Sequence, residues 1–180
     1  MHELLQPVFL KSFEDFLNVD SENIAFGVSE RNLCARLAFY LQTHAHQEGL
    51  KDYFADPEYN KQQGGNIKTI INEREEVLEI TCDLILHSRG QYFGPDDNLI
   101  AIEMKKDYRP ADDKKKDRER LTALTKQTFD DVWSADGKTH PDRVCCYHVG
   151  YYTELVSSNR CFLIEEYIHG EMLREFSLTY

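Results

Sequence analysis

The chain has no run of apolar residues long enough to span a bilayer, which takes about 20 in succession. No membrane association is therefore expected. Its first residues, MHELLQPVFLKSFEDFL, lack the basic start and apolar run of a secretory leader. A soluble cytoplasmic protein is the expectation. Cysteine is present in an odd number, five, as Cys34, Cys82, Cys145, Cys146 and Cys161, and never as C-x-x-C. That argues against a disulfide framework and against a zinc ribbon. Cys145, Cys146 and His148 are close in sequence, but adjacent residues on a strand face opposite ways and cannot all reach one ion. Packing in a core is the better role for them. There is one Trp, and there is no internal repeat or low-complexity linker. Basic residues are also short: 21 Lys/Arg face 32 Asp/Glu, for a net charge of −11. On its face this opposes phosphate binding, which needs cations. The shortage is uneven, however. Between Lys105 and Lys126, nine Lys/Arg stand against five Asp/Glu, a local +4 that leaves −15 for the rest.

What is present is an ordinary globular composition, 41% apolar with ten Tyr and ten Phe, over 180 residues. One domain is expected over 1–180, with an N-terminal helix and loop at 1–27, a core at 28–152 and C-terminal strands at 153–180. Leu5, Phe9, Phe13, Phe16 and Leu17 recur at helical spacing, which predicts a helix over 3–17 and a polar loop ending at Gly27. Ser29 can cap a second helix reaching about His46. Residues 53–60 read as a strand, 61–66 as a loop and 77–87 as a strong strand. Residues 90–98 read as a turn shaped by Arg89 and Gly90, and 99–105 as the next strand. Residues 111–128 form a helix that begins charged and ends apolar at Leu121, Leu124 and Phe129. Strands follow at 144–152 and 161–169, and a short segment closes the chain. The fold class is α/β, an α+β mixed sheet flanked by helices. The crossover through the charged helix sets the strand at 144 parallel to the strand at 99.

On the strand Leu99–Lys105, Ile100, Ile102 and Met104 share one face, and Glu103 and Lys105 share the other. Alone this means little, since a random E-x-K arises roughly once in a chain of this size. The preceding strand raises its significance. Ile80, Cys82, Leu84 and Leu86 form its apolar face, and Asp83 points the other way, although Asp is depleted from strands. An antiparallel hairpin turning near Phe93 or Gly94 sets Asp83 opposite Glu103 or Lys105, with Cβ atoms about 5 Å apart. Two carboxylates so close repel unless a cation lies between them. A divalent metal meets that need, with Lys105 alongside. Glu30, Leu33, Cys34, Leu37 and Leu41 follow i, i+3, i+4, i+7, i+11 spacing, so Glu30 ends the stripe facing the sheet. It is a candidate ligand or water-positioning group. A first-turn acid favoured by the helix dipole accounts for it equally simply.

An acid on a first helix, an Asp on a strand and E-x-K on the next strand together resemble the PD-(D/E)XK, or restriction-endonuclease-like, nuclease superfamily. The segments around Ser29-Glu30-Arg31, Glu58-Tyr59-Asn60, Asp83–Gly90 and Asn98–Lys106 are similar to a group of small stand-alone prokaryotic members. The likeness covers about residues 29–126. Cys82 stands where the name has Pro. The resemblance implies an αβββαβ core, here with an extra N-terminal helix. It also implies a metal-dependent nuclease hydrolysing phosphodiester bonds, a DNA endonuclease rather than an RNA one. Asp83 and Glu103, with the Met104 carbonyl, would hold Mg²⁺ or Mn²⁺. Glu30 would bind the metal through water or take up a proton, and Lys105 would orient the attacking water or stabilise the charged phosphorus centre. Glu58 would support the site or simply hold its strand. A homodimer would let a duplex be cut on both strands.

The alternating charges of 112–120 are those of a solvated helix face. Functionally, Lys106, Arg109, Lys114 and Lys115 would touch phosphates beside the site. His87 would approach substrate or bond at its strand end. Trp133 packs or stacks on a base. Glu165 and Glu166 read as surface residues. Two alternatives stand beside the nuclease. One is a catalytically inactive nuclease fold used as an interaction or regulatory module, which the net charge favours. The other is a metal-dependent phosphodiesterase for a small nucleotide.

Overall fold

The computed structural model describes residues 1–59, 69–71, 77–79, 81–92, 96–126 and 145–180. The expected loop at 61–66, Trp133 and Phe129 lie outside them. Helix α1 spans His2–Ala25. Its apolar stripe continues through the buried Asp20 and Ile24, so the expected polar loop is helix instead. The buried polar residue hid this continuation. Asp20 accepts hydrogen bonds from Arg36 Nε (2.8 Å), Tyr40 Oη (2.7 Å) and Asn23 Nδ2 (2.9 Å), which replace its lost water. Helix α2, Glu30–Gln47, starts at the expected cap: Ser29 Oγ accepts from the Asn32 N–H at 3.2 Å. It buries Leu33, Cys34, Leu37 and Leu41.

The remaining elements are β1 (Phe54–Tyr59), β2 (Thr69–Ile71), β3 (Val77–Glu79), β4 (Cys82–His87), β5 (Asn98–Lys106), α3 (Ala111–Thr125), β6 (Val149–Val156), β7 (Cys161–Ile168) and β8 (Glu171–Thr179). The single strand expected over 77–87 is two. β3 pairs with β2 in a small separate sheet, and β4 joins the main one. Likewise, Cys145–Tyr147 are not strand and β6 begins at Val149, while the closing segment is the full strand β8. A two-residue left-handed turn, His169 (φ 54) and Gly170 (φ 81), turns β7 back into β8 as a primed hairpin requires. The main sheet has six strands in the order β1-β4-β5-β6-β7-β8. Pro57, which lacks an N–H, fits β1 as an edge strand. Every pairing is antiparallel except β5 with β6, which is parallel as the crossover through α3 demands.

The two faces of the sheet carry different cores. Leu84, Leu86, Ile100, Ile102 and Met104 pack with α1 and α2. Ile85 and Ala101 pack with Leu121 and Leu124 of α3, and with Tyr147 and Tyr152. Cys82, expected among the first group, belongs to the second. All five cysteines are buried. Helix α3 lies close on β6 because Gly150 has no side chain: a Cβ there would stand 3.0 Å from Thr125 and 3.1 Å from Leu121. No helix among the described residues is long and apolar enough to cross a membrane.

Two measurements check this layering. Phe9 is fully buried and its ring stacks on Tyr151 with centroids 3.6 Å apart. Phe9→Ala should cost about 3–5 kcal/mol in denaturant unfolding, while Phe26→Ala, at an 81% exposed position, should cost little. Burial pushes the Asp20 carboxyl up, but the bonds from Arg36, Tyr40 and Asn23 outweigh it and hold the group below its ordinary 3.8. A carboxyl depressed in the fold adds stability above its unfolded value and loses it as pH falls through the folded one. Asp20→Asn should therefore cost about 1–3 kcal/mol at pH 7. The gap from wild type should close as unfolding is repeated below pH 3.8.

Candidate active site

Strands β4 and β5 run antiparallel in the register Leu84↔Ile102, and continuing it by one residue sets Asp83 against Glu103. Asp83 Oδ2 accepts the Met104 N–H at 2.9 Å, so this carboxylate is fixed by the backbone of the neighbouring strand. Glu103 is wholly buried, and its backbone carbonyl accepts from Thr153 Oγ1 of β6 at 3.2 Å. Lys105 points to the same face as Glu103. Its ammonium lies 2.7 Å from Asp117 Oδ2 and 3.4 Å from Asp83 Oδ2, with the Met104 carbonyl at 3.3 Å. Burial lowers the Lys105 ammonium's proton affinity, but Asp83 and Asp117 outweigh it and keep the group protonated.

Asp117 and Arg120 come from α3, in the stretch expected to be a solvated face. Asp117 is buried, and Arg120 Nη1 donates to Glu103 Oε1 at 2.7 Å and lies 3.3 Å from Asp117 Oδ1. A signal for them exists. Asp117, Leu121 and Leu124 are spaced i, i+4, i+7, so the stripe that packs α3 on the sheet begins with a carboxylate. Alternating charges disguised it. Asp83, Glu103 and Asp117 together offer carboxylate oxygens that all lie within 4.8 Å of one another. Burial, then the charge of Asp83, push the Glu103 carboxyl well above the usual carboxylate range, and Arg120 offsets this only in part. Burial likewise raises Asp117 against the pull of Lys105.

One detail sets Glu103 apart from several other buried or half-buried acids, and Asp117 beside it shares that detail. Glu30, Asp56 and Glu165 each have both oxygens bonded by one arginine, Arg109, Arg89 and Arg118 respectively. Both Glu166 oxygens are also used, by His2 and Tyr151 on one side and by Arg174 on the other. Among the described residues, Glu103 Oε2 and Asp117 Oδ2 are buried and accept no hydrogen bond, and only the second has an ammonium, Lys105 Nζ, close by at 2.7 Å. A buried oxygen like that of Glu103 carries a desolvation cost with nothing to offset it. It is the place in this cluster that calls for a cation.

The other expected residues are placed differently. Glu30 is not among the acids grouped for a metal. Its oxygens take the Lys106 N–H (3.0 Å) and the Arg109 guanidinium (2.9 and 2.7 Å), because it reaches β5 one residue beyond Lys105. Burial raises the Glu30 carboxyl, but these bonds win and lower it. Lys106 is buried with its Nζ on the Gly27 carbonyl at 2.8 Å, so it is not a surface phosphate contact. His87 is buried too, with Nε2 2.9 Å from Asp56 Oδ2. Lys114 is turned inward onto Glu154 (2.6 Å) and the Asp107 carbonyl (2.7 Å). Lys115 is exposed, 3.6 Å from Glu119. Glu58 pairs with Arg31 at 2.6 Å on the outside of β1. Glu165 and Glu166, expected on the surface, are buried, because α3 covers one face of the sheet and α1 the other.

No protein-family model, curated protein or solved structure matches the chain. Its chemistry therefore has to be argued from the cluster itself.

The tie between α3 and the sheet can be measured. Removing Arg120 leaves the buried Glu103 without its cation, so Arg120→Ala should cost about 3 kcal/mol or more in metal-free buffer. Adding Glu103→Gln removes the stranded charge and should return much of that loss. A double-mutant cycle by chemical denaturation gives the coupling. Additive costs would mean that the pair contributes nothing.

Proposed function

We propose that the protein is a metal-dependent nuclease whose site is the cluster of Asp83, Glu103, Lys105 and Asp117. The observation that carries this reading is the unpartnered, fully buried Oε2 of Glu103 beside two further carboxylates and an ammonium. The donor set fits Mg²⁺ or Mn²⁺: every candidate ligand atom is a carboxylate oxygen, and no thiolate or imidazole is among them. Once β2 and β3, which form a separate sheet between β1 and β4, are set aside, the element order helix α2, strands β1, β4 and β5, helix α3, strand β6 supports it as well. It is the helix, three strands, helix, strand order that the PD-(D/E)XK resemblance implies.

Asp83, Glu103 and Asp117 would hold the metal. When bound, it would supply charge neutralisation at the scissile phosphate and a lowered pKa for the attacking water. Lys105, kept protonated by Asp83 and Asp117, would donate a hydrogen bond to a phosphate oxygen as negative charge builds there. Asp83 is the most solvent-accessible of the three acids, its side chain being 29% exposed against 5% for Asp117 and 0% for Glu103. Substrate would thus enter over Asp83. Glu30 serves differently from the expectation: by clasping Arg109 it would present a guanidinium, 44% exposed, beside the end of β5 where a phosphate backbone could run. DNA is the favoured substrate, with water adding across a P–O bond.

A second reading is also favoured by an observation. Lys105 and Arg120 already supply cations to this acid cluster, so an inactive nuclease fold serving as an interaction module could stand without metal.

The two readings part in one assay. Plasmid, linear duplex, single-stranded DNA and RNA are incubated with Mg²⁺, Mn²⁺ or EDTA, using wild type, Asp83→Ala and Lys105→Ala. The nuclease reading expects cleavage that EDTA abolishes and that falls by about 10²–10³-fold or more in each variant. Absence of cleavage on every substrate, with no metal uptake by calorimetry, leaves the interaction module.

A further inference from the structure

We infer that Arg120 is a resident counter-cation of the acid cluster, so that the site takes a single divalent ion and its uptake competes with the Arg120 guanidinium. This inference rests on the metal-dependent reading above. It begins with charge. Asp83, Glu103 and Asp117 carry three negative charges when ionised, and Lys105 and Arg120 return two positive ones, leaving −1. One divalent ion takes the cluster to +1, which a phosphodiester anion balances. Two would take it to +3 around a Glu103 that has no solvent exposure, where like charges are poorly screened.

Geometry agrees. Two-metal sites hold their ions about 3.5–4 Å apart and need carboxylates that bridge them. Glu103 is the most deeply buried acid of the three and would have to bridge, yet its Oε1 is held by Arg120 at 2.7 Å. The ligand oxygens lie within 4.8 Å of one another, and since bonds of about 2.1 Å span at most about 4.2 Å, the acids would draw in slightly around one ion.

The manner in which Arg120 binds is the second observation. Arg89, Arg109 and Arg118 each grip both oxygens of one carboxylate, the fork geometry that a guanidinium matches best. Arg120 instead divides itself between Glu103 Oε1 and Asp117 Oδ1 and leaves Glu103 Oε2 open. At Asp20 and Glu166, where the arginine takes one oxygen, tyrosine or histidine side chains take the other; at Glu103 no described group does. Arg120 neutralises half the carboxylate and leaves the other half as a ligand.

The test is a Mn²⁺ titration of the whole chain by calorimetry, with free Mn²⁺ followed by electron paramagnetic resonance, on wild type, Arg120→Gln and Arg120→Lys. Wild type should bind one ion per chain. Arg120→Gln, which loses the competing charge, should bind Mn²⁺ about tenfold more tightly or accept a second ion. Arg120→Lys keeps the charge and should stay within about threefold of wild type. Two ions in wild type would overturn the inference, and so would weaker or unchanged binding in Arg120→Gln. If Arg120→Gln does not fold, the wild-type stoichiometry and Arg120→Lys still decide. No uptake by any of the three proteins would overturn the inference together with the metal-dependent reading. One bound ion without cleavage of any nucleic acid would remove the nuclease alone and leave the role of Arg120 standing.

Discussion

Glu103 sits on the third strand of the main sheet with no solvent exposure, and Arg120, held against it by α3, offsets part of the cost of its ionised form. Burying a lone carboxylate is too costly for a domain of ordinary stability. The docking of α3, its place over Gly150 and the inward turn of Asp117 are therefore linked to one ion pair. Lys105 is drawn into the same arrangement, since its ammonium answers Asp117 from the helix and Asp83 from the neighbouring strand. Strand register, helix position and site electrostatics are one constraint here.

That constraint explains why β5 is two-faced. Ile100, Ile102 and Met104 meet α1 and α2 through an apolar layer that needs no specific partner. Glu103 and Lys105 meet α3 through charges that need particular partners at particular places. The apolar layer supplies burial, which is tolerant of detail. The charged layer contributes little net stability but admits few alternative arrangements, since any slip strands a charge. A single strand thus separates what makes the chain compact from what gives it a site.

The legible parts of the sequence were those where a pattern has one physical cause. Alternation along residues 82–87 and 98–106 places Asp83 beside Glu103, Ser29 caps its helix, and a helix between two strands makes them parallel. The illegible parts share a different cause: polar residues occupying buried positions. Asp20 hid the last third of α1, Asp117 and Arg120 hid the inner face of α3, and Glu165 and Glu166 read as surface because nothing local announces Arg118 or Arg174. Their partners come from other elements, and only the folded chain brings them together. Glu30 shows the reverse error. Its spacing correctly pointed it at the sheet, but Arg109 lies in a loop whose course no periodicity records.

The repeated use of arginine against buried acid gives the final argument about the site. Asp20, Glu30, Asp56, Glu165 and Glu166 each have an arginine from elsewhere in the chain, and each has both carboxylate oxygens engaged. Arg keeps its charge at any working pH, so these pairs do not switch and are suited to holding elements together. These five acids set a standard by which Glu103 and its neighbour Asp117 can be judged. Glu103 too has its arginine, but one oxygen is left open, next to Asp83 and Asp117. At the other five sites both oxygens are engaged, by an arginine fork at Glu30, Asp56 and Glu165 and by an arginine with other side chains at Asp20 and Glu166. The open oxygen is available to a further cation, and this is the observation that supports the proposed metal at the face shared by β4, β5 and α3.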